Sequence, residues 1–147
     1  MRTMGKILGT TAAIVLIAAC APAPPPPGEP AVHTDTASVA EDFPDIGEIV
    51  EASWVEERMG ASEGRIEAPG PSVFKLSAVV KLRPEAVSKM ISELKCKAGA
   101  PDVPKQLKGL VTPGVAWLSC GLPTTTKART AFVVEGSEQA FLRSSTM

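Results

Sequence analysis

The sequence predicts an α+β domain: a small antiparallel sheet with two helices on one face, in the order α-β-β-α-β-β-β. Three observations lead there. Residues 74–82 alternate apolar with mostly polar side chains, the pattern of an antiparallel strand with one wet face. Residues 84–97 open on Pro84 and carry Val87, Met90, Ile91 and Leu94 at helical spacing. Three short apolar runs separated by turn residues then close the chain, which places strands and helices in one layered unit.

The elements follow in order. Asp45 and Glu48 have the spacing of a capping box, and Ile46, Ile49, Val50, Ser53 and Trp54 recur at helical intervals. This predicts a first helix that Gly60 ends, with a strand over residues 50–55 as the competing reading. Residues 64–68 form a short strand, and Pro69-Gly70-Pro71 is turn chemistry. After the strand 74–82, Glu85 sits at the positive end of the second helix, Lys95 and Lys97 lie in its last turn, and Gly99 stops it. Residues 100–113 are a long loop with Pro101, Pro104 and Pro113 and one short turn around residues 105–110. Strands follow at 115–120, 129–135 and 139–144, the last two joined by a turn at 135–138.

The residues ahead of this domain are of another kind. Arg2 and Lys6 form a positive head, residues 7–19 are an apolar run, and small residues precede Cys20. This is the tripartite build of a secretory signal. The run is shorter than the ~20 residues that span a bilayer. The stretch Ile17-Ala18-Ala19-Cys20 resembles the lipobox of bacterial lipoproteins, with Ile in place of the more usual Leu. The resemblance covers about the first 21 residues. It implies removal of residues 1–19, acylation of Cys20 and a protein held on the exported side of a membrane, the outer one where the host has two, as Ala21 after the cysteine suggests. Ala19-Cys20-Ala21 and Ala21-Pro22-Ala23 also satisfy the small-x-small rule of ordinary signal cleavage, which would leave a secreted chain. Residues 20–40 read as an anchor and spacer, with a proline-rich stretch that favours extended conformation. His33, the only histidine, falls in this spacer, and the single domain spans 41–147.

Cysteine usage agrees with export. An odd cysteine in an exported chain needs an explanation. Acylation of Cys20 supplies one and leaves Cys96 and Cys120 as an even pair, expected to be disulfide-bonded in an oxidising compartment. Two buried free thiols are the alternative. Removing residues 1–19 takes two of the 15 basic side chains, Arg2 and Lys6, and none of the 16 acidic ones, leaving a net charge of about −3. No nucleic-acid partner is expected from that balance.

The chemistry of the domain is defined mostly by what it lacks. It contains no histidine and no tyrosine, no Gly-x-Gly-x-x-Gly, no Gly-Lys-Ser/Thr and no Cys-x-x-Cys. Most acid–base and nucleophile–base sets are therefore missing, and neither a cofactor nor a metal is expected. A pair drawn from Glu48, Glu51, Glu56, Glu57, Asp102, Glu135 and Glu138 would suit a carboxylate-dependent hydrolase. The expected function is a non-enzymatic binding domain, whose partner is an envelope protein or another envelope component. A structural envelope accessory is the remaining reading. Its contact surface is expected on the long loop, at Lys105, Leu107, Lys108, Leu110 and Val111, with Trp117 beside it. The alternative is that the loop's apolar residues tuck onto the sheet and cap the core.

Overall fold

The computed structural model describes residues 28–59 and 73–146. The lipobox with Cys20, the expected strand at 64–68, the turn at 69–71 and the stop at Gly60 lie outside the described residues.

The core element is a six-stranded, wholly antiparallel sheet. Its strands are β1 (Ile49–Met59), β2 (Val73–Leu82), β3 (Cys96–Ala98), β4 (Leu118–Gly121), β5 (Lys127–Val133) and β6 (Gln139–Thr146). They lie in the order β1-β2-β6-β5-β4-β3. β1 and β2 form a hairpin. Helix α2 (Pro84–Glu93) carries the chain to the far edge. A meander through β3, β4 and β5 then returns so that β6 pairs with β2. The β5–β6 turn is closed by Ser137 N donating to Val134 O (3.0 Å), and Gly136 supplies the left-handed φ of +74° that the turn needs.

The first helix is not where the sequence placed it. Residues 49–59 are strand β1, so the competing strand reading of this stretch prevails. Ala52 and Trp54 face one side of the sheet and Val55 the other. The helical spacing of Ile46, Ile49, Val50, Ser53 and Trp54 is a coincidence of composition. Ten register pairs with β2 outweigh it, as tertiary pairing commonly overrides local pattern. Asp45 and Glu48 form no capping box; they pair with Arg129 and Arg83.

The real first helix is α1 (Thr36–Asp42), which begins in the stretch expected to be spacer. Asp35 caps it by accepting from Ser38 N (3.1 Å). Val39, Phe43 and Ile46 are buried behind it. The domain therefore begins before residue 41. His33 is part of it too: it exchanges backbone hydrogen bonds with Trp54 (2.8 and 2.9 Å) and stacks on its ring at 4.4 Å. Helix α2 ends at Glu93, short of the expected 97, because Cys96–Ala98 are claimed by pairing with β4.

Two clusters make the core. The larger lies under α1 and α2, where Leu76, Ala78, Val80 and Leu82 of β2 meet Val39, Phe43, Val87 and Met90. The smaller lies on the opposite face, where Val55, Val79, Phe132 and Phe141 are covered by Leu107. The expectation of one wet sheet face is thus corrected: residues 76–80 of β2 are buried without interruption. Small side chains at Ser77 and Ala78 help the central strand accept cover on both sides.

Candidate functional site

The long loop and the disulfide are built together. Cys96 and Cys120 are direct cross-strand partners, 4.2 Å apart at Cα, and their sulfurs are bonded. That close approach is typical of a non-hydrogen-bonded antiparallel pair. The bridge was expected to tie the end of α2 to a strand; it ties β3 to β4. Gly99 N donates to Trp117 O (3.1 Å), so both ends of the loop are also held by backbone. Residues Lys105–Leu110 form a 3₁₀ helix, where the sequence indicated a short turn.

This loop divides into two kinds of residue. Leu107 is 0% exposed and caps the second cluster, with Val103, Val111 and Trp117 packed half-buried around it. Leu107 therefore offers no contact surface, and Val111 and Trp117 offer only part of theirs. Lys105 and Lys108 point to solvent, and Leu110 is 48% exposed. Lys105 Nζ pairs with Glu29 at 2.9 Å, and the Glu29 carboxylate raises its pKa above the ordinary lysine value.

Beside Leu110 the cover over the sheet stops, leaving an open groove of about 380 Å³. Its floor is the start of β1 (Glu51, Ala52, Ser53) and the end of β2 (Val79, Val80, Lys81). Ser137, Glu138 and Gln139 of the β5–β6 turn form the far wall. Gln139 fixes the near wall through both ends of its amide: Nε2 donates to Leu110 O (2.8 Å), and Oε1 accepts from Thr112 N (2.9 Å). Lys81 Nζ lies 3.7 Å from Glu138 Oε2. Glu51 stands opposite Lys81 in the strand register and forms no ion pair among the described residues.

A second hollow, about 430 Å³, lies between the 44–47 segment, α2 and Leu122-Pro123, and is lined largely by apolar groups. On the helix-covered face, at the end of α1, sits a polar lock. Lys127 and Ser144 (2.7 Å) bind the Asp42 carboxylate. Arg129, its side chain 3% exposed, donates to Asp42 O (3.1 Å), Asp45 Oδ2 (2.9 Å) and Pro123 O (2.8 Å). This network fastens the end of α1 to β5 and β6. Buried charges persist only when paired in this way.

Of the carboxylates singled out in sequence, Glu51 and Glu138 line the same groove. Glu57 pairs with Lys75 (3.6 Å), and Glu48 is spent on Arg83 (2.8 Å), whose hydrogen bond and charge hold its pKa below the ordinary value. Asp42, Gln139 and Arg129 were missed. Their roles depend on residues distant in sequence, and nothing local marks them. Among the described residues no group of three His, Cys, Asp or Glu could hold a metal ion, and no helix is long and apolar enough to cross a membrane. Compared with protein-family models, curated proteins and solved structures, the chain finds no match.

Proposed function

We propose that this chain is a lipid-anchored lipoprotein of a bacterial cell envelope, with a small non-catalytic domain that binds an envelope partner. The observation that carries the reading is the accounting of the three cysteines. Cys20 completes the lipobox pattern, and Cys96 and Cys120 are joined to each other. A closed pair suits an oxidising compartment and leaves Cys20 as the one thiol needing a role. Several acyl chains on one residue give stable anchoring, which a single chain does not.

The binding half of the proposal rests on shape. The groove beside Leu110 is open, and its polar side chains are two carboxylates, two serines, the Gln139 amide and one lysine already paired. That composition suits a docking surface better than a reaction centre. The hydrolase reading keeps one supporting observation, the presence of both Glu51 and Glu138 at that groove. Glu51→Gln and Glu138→Gln separate the two: a hydrolase loses its turnover with either.

Mass spectrometry of the N-terminal peptide from purified membranes tests the anchor. An acylated cysteine at position 20 is expected. An unmodified N-terminus at Ala21 or beyond would overturn the anchor.

A further inference from the structure

We propose that the groove at the start of β1 docks an extended peptide segment carrying a lysine or arginine next to an aliphatic residue. This deepens the interaction reading above and rests on it. The aliphatic half of the argument is Leu110. Its side chain is 48% exposed, yet its carbonyl is fixed by Gln139 Nε2 at 2.8 Å. A leucine held out on a pinned backbone is a preorganised anchor, since little further entropy is lost when a partner covers it.

The cationic half is charge. Lys81 lies against Glu138 at 3.7 Å, and Glu51 has no ion pair among the described residues. The groove therefore holds two carboxylates against one ammonium, and an arriving cation has Glu51 free to meet it. The volume, about 380 Å³, lies near the lower end of the range for ligand sites, and the groove is open. One or two side chains of a strand-like segment fit that space.

The chain's own segments are poor occupants. Residues 21–27, Ala-Pro-Ala-Pro-Pro-Pro-Pro, contain no basic side chain to meet Glu51. Residues 60–72 leave β1 at Met59, eight positions from Glu51, about 26 Å along an extended strand.

The test uses the full-length protein in detergent micelles and two synthetic ten-residue peptides. One alternates arginine with leucine and valine; the other has glutamate in place of arginine. Fluorescence anisotropy should show the basic peptide binding at least tenfold more tightly than the acidic one, and more weakly as salt is raised. The double variant Glu51→Lys with Leu110→Asp should lose at least tenfold in affinity with an unchanged melting temperature. The single variant Glu51→Gln, which is expected to leave the fold intact, should lose part of the preference between peptides. Equal binding of the two peptides, binding of neither, or a double variant that binds as before would overturn the proposal. So would a concentration-dependent dimer that the double variant abolishes, which would make a second copy the occupant. An acylated Cys20 without peptide binding rejects the groove and leaves the anchor standing; an unacylated chain that binds the basic peptide does the reverse.

Discussion

Substituting Leu107 by alanine separates the two roles that meet in one loop. Leu107 is 0% exposed and touches the cluster of Val55, Val79, Phe132 and Phe141. The change removes three buried carbons, about 2.4 kcal/mol at ~0.8 kcal/mol per methylene. A cavity that does not fully collapse raises the loss to about 3–4 kcal/mol. For a domain of this size that is a fall in melting temperature on the order of 15 °C. Leu110→Ala, three residues away and nearly half exposed, is expected to cost less than about 1 kcal/mol. Thermal denaturation of both variants followed by circular dichroism decides the matter. If Leu107→Ala melts within about 2 °C of the parent, the loop does not cap the sheet, and the division between buried and presented residues fails.

Two further outcomes follow from the same structure. Replacing both Cys96 and Cys120 by serine opens a closure across 24 positions. It should cost about 3.5 kcal/mol in the chain-entropy model, read as a lower urea midpoint; non-reducing peptide mapping of the native protein should recover the two cysteines in one linked fragment. Acid should loosen the N-terminal arm. Hydrogen bonds from Ser38 and from the Trp54 indole hold the Asp35 pKa below its ordinary value. A depressed carboxylate stabilises the fold above its unfolded pKa and loses that contribution as pH falls through the folded value, so the loss begins below about pH 4. Trp54 fluorescence should report it, and Asp35→Asn, which keeps a capping oxygen, should remove the pH dependence.

Local chemistry made some of this structure readable in advance. Pro84 and the stripe of Val87 and Met90 marked α2, because there a short-range pattern and the tertiary environment agree; the alternation of residues 74–82 marked β2 as a strand but not its burial, since residues 76–80 are covered on both faces. The stretch 45–60 failed for the opposite reason. Its apolar residues fit two periods, and the choice was made by pairing with β2, in which Met59 meets Val73 and Ile49 meets Leu82. Helix α1 was hidden because it has a single buried residue, Val39, and no acidic first turn. The disulfide was readable from counting alone. The groove was not, since Glu51, Leu110 and Gln139 meet only after the meander brings β6 back against β2.

The path of residues 28–42 gives the N-terminal segment a role beyond spacing. It starts against Lys105 through Glu29, on the loop-covered face. It then crosses the outer edge of β1, where His33 pairs with Trp54. It ends on the opposite face, where Asp42 is held by Lys127 and Ser144. An edge strand of eleven residues invites pairing with other chains, and this crossing occupies its midpoint. The same path fixes where the chain leaves the domain. Lys105 and Leu110 are the two ends of one 3₁₀ helix, roughly 10 Å apart at its ~2.0 Å rise. Cys20 is eight positions from Gly28, a reach of at most about 29 Å. An acylated Cys20 would therefore hold the groove close to the membrane surface. On the proposed lipid-anchored reading, a partner in that same membrane would meet it at raised effective concentration, and a shallow site would then suffice for capture.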